Sequence, residues 1–188
     1  MKKVISIYGL AAAGKTTQAD LLAKKYGFYQ FGMGERLRAE INSGSELGQK
    51  IADTVASGLL VSDELIVGVL QNVQKPAQET GIIFDGFPRM VPQAELLDKI
   101  MAEVGLEVEL FILLDITSEE AEKRIAARAV ATGRSDDQDK AVVSNRLEVF
   151  RQESEPLIAR YEAAGKLIRI DGSQTIEAVF KEIEKHLN

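Results

Sequence analysis

The sequence contains no cysteine, no tryptophan and only one histidine, and it has no long apolar run. Without cysteine, disulfide bonds and cysteine-ligated zinc are excluded, and a single histidine argues against a metal site built on histidines. A formal net charge of −6 disfavours a nucleic-acid partner, which would favour a basic surface. No signal peptide or membrane span is recognisable. We therefore expect a cytoplasmic protein with no nucleic-acid partner and no membrane partner.

Strands and helices alternate along the 188 residues, without an internal repeat or a linker. Several predicted strands are nearly continuous apolar runs, as expected of parallel strands buried on both faces. Between them, apolar residues recur at helical spacing. Two such helical patterns are Leu65, Ile66, Val69, Leu70 and Val73, and Ile176, Val179, Phe180 and Ile183. This alternation predicts a single α/β domain with helices around a parallel sheet. The predicted strands span residues 3–8, 28–31, 82–85, 108–114 and 167–171.

A phosphate-binding motif lies between the first predicted strand and the first predicted helix. Residues 9–16 fit Gly-x-x-x-x-Gly-Lys-Thr, in which backbone N–H groups and a helix N-terminus face a phosphate. Lys15 adds a positive charge, and Thr16 offers a hydroxyl to Mg²⁺. The alternative is a turn of small residues between strand and helix. The complete motif and both of its flanks favour a nucleotide site.

A carboxylate ends the third predicted strand. Asp85 follows Ile82 to Phe84, and Gly86 and Arg89 come directly after it. An aspartate at the end of a strand near a phosphate loop suits Mg²⁺, bound directly or through water. Gly86 allows close approach of a ligand to the backbone. The alternative, that Asp85 caps a helix or a turn, is weakened by the phosphate loop elsewhere in the chain.

Arginine occurs at positions that suit a polyphosphate site. Guanidinium groups bind phosphate bidentately and stay charged when they lose water. Several such cations in one place repel one another, and a bound polyphosphate relieves that repulsion. Ion pairing along a helix is the alternative for single residues, since Glu120 and Arg124 lie one turn apart. The arginines concerned are Arg38, Arg89, Arg124, Arg128, Arg134 and Arg146.

With these motifs, the chain resembles the adenylate kinases, within the nucleoside monophosphate kinases, over essentially its full length. The phosphate loop of that family matches residues 9–18. The family's Asp-Gly-Phe-Pro-Arg motif is complete at 85–89 and is followed by Gln93. Its lid signature matches Gly133-Arg134-Ser135-Asp136-Asp137. Further matches are the segments 34–38, 43–48, 58–61 and 171–173.

The resemblance implies a P-loop doubly wound fold, with a five-stranded parallel sheet and helices on both faces. The core of this single domain, 1–188, would comprise residues 1–32, 64–128 and 139–188. A helical insertion at about 33–63 would bind the nucleoside monophosphate. Residues 129–138, rich in glycine, serine and aspartate, are predicted to form a loop. By resemblance this loop would be a short lid at about 129–138, without the zinc-binding insertion of longer lids. We expect Asp136 and Asp137 to pair with arginines of the lid or its neighbours once the lid has closed; the alternative is a solvated acidic turn.

The resemblance also implies roles for individual residues. Gln93 would recognise adenine, Arg124 would stack on the base of ATP, and Arg38 and Arg89 would hold the AMP phosphate. The residues expected at ATP are Gly9, Ala12, Ala13, Gly14, Lys15, Thr16, Thr17, Arg124 and Gln174. Those expected at AMP are Met33, Arg38, Val61, Gly86, Arg89 and Gln93. The expected catalytic residues are Lys15, Arg89, Arg128, Arg134 and Arg146, and the expected Mg²⁺ residues are Thr16 and Asp85, partly through water. Thr17 and Gln18 are open to a second interpretation, as residues that only begin a helix.

Four positions depart from the family's pattern. Ala11-Ala12 replaces the usual Pro-Gly, and alanine is strained if the second position needs a positive φ. Thr16 replaces a glycine and restores the threonine of other P-loop proteins. Met33 replaces a threonine close to the acceptor base.

The resemblance implies a monomeric enzyme that catalyses ATP + AMP ⇌ 2 ADP with Mg²⁺. A UMP/CMP kinase is the nearest alternative, and Gln93 argues against it because an amide matches the edge of adenine. A nucleotide-binding regulator without turnover is a third possibility. The altered phosphate loop favours a regulator, whereas the arginines and Asp85 favour an enzyme.

Overall fold

The computed structural model describes residues 3–70, 72–133 and 135–187, and it contains a five-stranded parallel sheet. The strands are β1 (Val4–Tyr8), β2 (Tyr29–Gly32), β3 (Ile82–Asp85), β4 (Val108–Asp115) and β5 (Leu167–Asp171), in the spatial order β2-β3-β1-β4-β5. Every neighbouring pair is parallel. The predicted fold class is confirmed, and each strand begins and ends within one residue of its prediction.

Helices connect the strands, and several of them begin at side-chain caps. Ser45, Thr117 and Thr175 each accept a hydrogen bond from a backbone N–H of the first turn, which satisfies a donor that has no partner within the helix. In the described chain the helices are α1 (Lys15–Tyr26), α2 (Met33–Ser43), α3 (Glu46–Ala56), α4 (Asp63–Val69), α5 (Gln74–Thr80), α6 (Val91–Ala102), α7 (Ser118–Thr132), α8 (Ser135–Gln138), α9 (Lys140–Ala163) and α10 (Ile176–Glu184).

The core has two layers because both faces of the sheet are covered. Along β1, successive side chains alternate between the faces. Ile5 and Ile7 pack with Leu22 of α1 and Ile183 of α10 on one side. Tyr8 packs on the other side, in the layer formed with helices α2 to α6 and α9. β1 is therefore buried along its whole length and holds the loop that follows it at the centre of the molecule.

Two local predictions were wrong. The segment 129–138 was expected to be a loop, but α7 continues to Thr132 and residues 135–138 form a short helix after Gly133. Three alanines between 127 and 131 favour the continued helix, and Gly133 ends it in the left-handed conformation, with φ of 66°. The helical pattern drawn through 65–73 ends at Val69, before Asn72 with φ of 66°. Arg134 lies outside the described residues.

The topology brings several loops to one edge of the sheet. The chain goes from β3 on one side of β1 to β4 on the other, so the carboxyl end of β1 lies at a topological switch point. Ligands of doubly wound sheets bind at such points. Among the described helices, none combines the length and the apolar character needed to cross a bilayer.

Candidate functional site

A cleft of about 540 Å³ opens at the carboxyl ends of the strands. Its walls come from the loop after β1, the loop after β3, the segment 32–66 and the arginines of α7 and α9. Most of the predicted site residues line it: Ala12, Gly14, Lys15, Thr16, Thr17, Met33, Arg38, Val61, Asp85, Gly86, Arg89, Gln93, Arg124, Arg128 and Arg146. Side chains separated by more than 130 positions in the sequence therefore meet at one site.

Three residues predicted at ATP do not line this cleft. The structure also shows the surroundings of Gln18, for which the sequence allowed two interpretations. Gly9 lines a smaller adjoining cavity of about 80 Å³, and the side chain of Ala13, within the phosphate loop, is buried. Gln174 is exposed, and its Nε2 donates to the Asp171 carbonyl oxygen at 3.2 Å. Gln18 is buried and its Nε2 donates to the Ile176 carbonyl oxygen at 3.0 Å, so it ties α1 to α10.

The phosphate loop curls around the Lys15 side chain. The Lys15 Nζ donates to the carbonyl oxygens of Gly9 at 2.9 Å and Leu10 at 2.7 Å. A Cβ on Gly9 would lie 2.5 Å from the Leu114 carbonyl oxygen of β4, so only glycine fits there. Ala12 has φ of 63°. The position at which alanine replaces the family's glycine therefore does have a left-handed backbone.

The cleft is strongly electropositive at its centre. Burial lowers the pKa of the Lys15 ammonium from 10.5 to about 7; Asp85 opposes this shift, and Arg89, Arg146 and Arg128 add to it. Burial, followed by the nearby Arg146, likewise lowers the pKa of Arg89. These cations destabilise one another without a ligand, which is the electrostatic condition expected of a polyphosphate site.

Thr16 and Asp85 form the oxygen-rich side of the cleft. The Thr16 hydroxyl donates to Asp85 Oδ2 at 2.5 Å. Asp85 ends β3, whereas the next helix begins at Val91 after Met90, so Asp85 does not cap it. Among the described residues, no cluster of three or more histidine, cysteine, aspartate or glutamate side chains could enclose a metal. One hydroxyl and one carboxylate fit Mg²⁺, which keeps several waters and takes its other ligands from phosphates.

The loop after β3 holds Arg89 in place. The Ser6 hydroxyl of β1 donates to the Phe87 carbonyl oxygen at 2.6 Å, in the buried core. Arg89 Nε donates to the Gly86 carbonyl oxygen at 2.9 Å. A Cβ on Gly86 would lie 3.5 Å from Lys15 Cε and 3.7 Å from Arg89 Nη2. Both side chains therefore pass close to a residue that has no side chain to displace them.

The buried amide of Gln93 is oriented by two backbone hydrogen bonds. Its Oε1 accepts from the Arg89 backbone N–H at 2.9 Å, and its Nε2 donates to the Val61 carbonyl oxygen at 3.3 Å. Each amide atom keeps one further hydrogen-bonding position, because Oε1 accepts two bonds and Nε2 has two hydrogens. Met33, buried at the start of α2, lines the same end of the cleft.

The arginines of α7 and α9 already have acidic partners. Asp137, with a fully buried side chain, accepts from Arg128 Nε at 2.6 Å and from Arg146 Nη1 at 3.0 Å. Asp136 accepts from Arg146 Nη1 at 3.1 Å. Arg124 pairs with Glu120 at 2.7 Å, the helix pair considered above, and it also donates to the Gly172 carbonyl oxygen at 3.0 Å. Both aspartates thus pair with neighbouring arginines and do not form a solvated acidic turn.

Sequence reasoning missed part of the acceptor wall. Gly58, Leu59 and Leu60 line the cleft beside Val61, and Gly32 and Gly34 line it beside Met33. The segment 58–61 was recognised as a family match, but only Val61 was given a role. A Cβ on Gly34 would lie 3.2 Å from Arg38 Nη1, so Arg38 runs back over this glycine. The lack of a side chain at Gly34 was the sequence signal that could have indicated this part of the wall.

Comparison with known proteins agrees with this architecture. The family model described as adenylate kinase matches residues 7–166. An adenylate kinase of Parabacteroides distasonis is 41% identical over 187 residues, covering 98% of this chain and 97% of the relative. An adenylate kinase of Caulobacter vibrioides (strain NA1000) is 40% identical, covering 96% of this chain and 95% of the relative. One of Synechococcus sp. (strain JA-2-3B'a(2-13)) is 39% identical, covering 94% of this chain and 91% of the relative. The chain belongs to the adenylate kinase family.

Proposed function

We propose that the cleft catalyses the Mg²⁺-dependent, reversible transfer of a phosphoryl group from ATP to AMP, giving two ADP. The observation that carries this proposal is the position of Lys15 and Arg89 beside Gly86, where one side-chain atom of each lies within 3.7 Å of the place of an absent Cβ. Lys15 belongs to the phosphate loop and Arg89 to the acceptor side. Two cations held this close suit a donor phosphate and an acceptor phosphate that must meet in line.

The donor half is formed by the phosphate loop and α7. Backbone N–H groups of the loop and the N-terminus of α1 face the phosphates, with Lys15 between them. Thr16 and Asp85 would hold Mg²⁺, which when bound neutralises charge on the donor phosphates. Arg124, held by Glu120 and Gly172, offers a planar surface for the base.

The acceptor half depends on Arg38, Arg89 and the oriented amide of Gln93. The remaining Oε1 position of Gln93 accepts from an amino group, and the remaining Nε2 hydrogen donates to a ring nitrogen. Adenine and cytosine present this pair of groups, whereas guanine and uracil present the reversed pair. Turning the amide over would place Nε2 against the Arg89 N–H and Oε1 against the Val61 carbonyl oxygen. Gln93 therefore cannot adapt to the reversed edge without losing both bonds.

No general base is required in this reaction. A phosphate acceptor already carries a nucleophilic oxygen, so the protein aligns two phosphates and spreads positive charge over the transferring group. Arg128 and Arg146 supply that charge once phosphate competes for them with Asp136 and Asp137. Water has to be excluded, because it would otherwise accept the phosphoryl group. The insertion at 33–63 and the lid at 129–138 are the segments proposed to exclude it; a monomeric state and a cytoplasmic location stay predictions.

An acceptor series tests the proposal against a UMP/CMP kinase. With ATP as donor, we expect AMP to be the best acceptor, CMP to follow, and UMP and GMP to be at least tenfold poorer than AMP, since an unpaired buried amide costs about 1–3 kcal/mol. Gln93→Leu should reduce the preference for AMP over UMP, whereas Gln49→Leu, at an exposed amide of α3, should leave it unchanged. UMP or CMP as the best acceptor would establish the alternative function.

A further inference from the structure

The insertion touches α9 directly, across the mouth of the cleft. The Asn145 Nδ2 of α9 donates to the Ser57 carbonyl oxygen at 3.2 Å. The next residue, Gly58, comes so close to α9 that a Cβ there would lie 2.8 Å from the Val142 carbonyl oxygen and 3.0 Å from Arg146 Cγ. We call the group Ser57, Gly58, Val142 and Asn145 the insertion contact.

This contact lies against a cation of the transfer site. Val142 and Arg146 are one helical turn apart on α9, so both face the insertion. Arg146 lines the main cleft and also the adjoining cavity of about 80 Å³, which Gly58, Lys15 and Arg89 line as well. The stem of Arg146 therefore packs on the backbone of the insertion while its guanidinium points toward the phosphate site.

The missing side chain of Gly58 is what makes this packing possible. Any Cβ under 3.0 Å from a backbone atom forces a shift, and the Val142 carbonyl oxygen belongs to a helix that cannot yield locally. A side chain at 58 would hold the insertion away from α9 or push α9 outward. Either movement changes the distance between Arg146 and a phosphate held by Arg89.

We propose that the insertion contact positions Arg146, so that this cation reaches the transferring phosphoryl group only while the contact is made. Gly58 and Asn145 are then positioning residues that couple acceptor binding to catalysis. This inference rests on the proposed function, since it needs a phosphoryl group in the cleft. It adds a route by which AMP, held by the insertion and Arg89, completes the set of cations around that group.

Substitution at Gly58 has a matched control within the insertion. Gly44 also has a positive φ, 69° against 76° at Gly58, but it has no atom within 4 Å of the place of its Cβ among the described residues. Gly44→Ala therefore carries the backbone strain of an alanine without the collision. We expect Gly58→Ala to lower kcat about tenfold or more and to raise KM for AMP, with the dissociation constant of an unreactive ATP analogue within twofold of wild type. For Gly44→Ala, the kcat, the KM for AMP and the dissociation constant of the ATP analogue should all stay within twofold of wild type.

A second pair of variants tests the hydrogen bond. Asn145→Leu removes the donor at similar size and should lower kcat about two- to fivefold, because one exposed hydrogen bond is a modest constraint. Gln49→Leu removes a comparable bond, to the Gly44 carbonyl oxygen, that lies wholly within the insertion, and should leave kcat unchanged. If Gly58→Ala does not fold, as judged by circular dichroism, Asn145→Leu still decides the matter.

A double variant separates positioning from general damage. If Gly58 acts through Arg146, adding Gly58→Ala to Arg146→Ala should cause almost no further loss of kcat. The inference is overturned if the two losses multiply, if Gly44→Ala is as harmful as Gly58→Ala, or if kcat is unchanged in both Gly58→Ala and Asn145→Leu. Absence of any ADP formation by the wild-type protein would instead contradict the proposed function itself.

Discussion

Ala12 carries a strain that its replacement of glycine introduces. Its φ of 63° lies in the left-handed region, where the Cβ of an L-residue approaches the following carbonyl oxygen. Of the described non-glycine residues, Ala12 and Asn72 are the ones with positive φ. Asparagine tolerates this conformation better than alanine does. The strain therefore lies within the phosphate loop, where close packing against Lys15 and β4 imposes the backbone path.

Ala12→Gly should stabilise the protein. Relief of left-handed strain stabilises the folded state by about 1–2 kcal/mol. The greater conformational freedom of glycine stabilises the unfolded chain by about 0.4–1 kcal/mol and opposes that gain. We expect a net gain of about 0.5–1 kcal/mol, or a rise in Tm of about 1–4 °C for a chain of this size. The control is Ala11→Gly, at a position without positive φ, which should lower Tm. An unchanged or lower Tm in Ala12→Gly would show that the loop is not strained there.

Single residues were the part of the site that the sequence predicted best. The spacing of Gly14, Lys15 and Thr16 is tied to one local backbone path, so a motif defines their geometry. The partners of Gln93 and Arg89 could not be predicted, because they are backbone atoms brought together by the fold. The role of Gln174 at ATP stays a prediction; in this structure its side chain bonds to its own turn.

At the scale of elements, α7, α8 and α9 are joined by one carboxylate. Asp137 of α8 has a fully buried side chain that bonds to Arg128 of α7 at two oxygens and to Arg146 of α9. Both arginines keep roughly a quarter of their side chains exposed, at 27% and 23%. Removing the carboxylate leaves two guanidiniums close together around a buried position.

Asp137→Asn should therefore destabilise the protein more than Asp136→Asn. Loss of the charge at Asp137 removes charge-assisted bonds, and we expect the free energy of unfolding to fall by about 1–3 kcal/mol. Asp136, whose side chain is 21% exposed, serves as the control and should lose less than half as much. Denaturation by urea measures both. Equal losses in the two variants would contradict a central role for Asp137.

Strands were easier to predict than the segments around the cleft. The strands are buried on both faces, so continuous apolar runs such as 82–85 reveal them within one residue. The segment 129–138 was predicted as a loop because glycine, serine and aspartate favour turns. The alanines before Gly133 and the arginine pairs of Asp137 instead favour helix. Those pairs are contacts between elements, which local patterns do not contain.

At the scale of the whole molecule, a chain of net charge −6 concentrates its cations in one cleft. Lys15 and five arginines line it, contributed by the phosphate loop, the insertion, the loop after β3 and helices α7 and α9. The alternation of strands and helices predicts the fold class, and the meeting of these segments followed from family resemblance, but the strand order came only from the structure. Neither the alternation nor the resemblance predicts the insertion contact, because it depends on how closely Gly58 approaches α9.

Phosphorus NMR on ATP, AMP and Mg²⁺ with the purified protein tests the central claim most directly. We predict two ADP for each AMP consumed, no release of inorganic phosphate, and the same equilibrium mixture when the reaction starts from ADP. Lys15→Met should fold normally and form ADP about 100-fold more slowly or worse, because a cation at the transferring group is lost. Nucleotide binding without ADP formation would identify a regulator, and release of phosphate without consumption of AMP would identify a hydrolase; either result contradicts the proposed transfer.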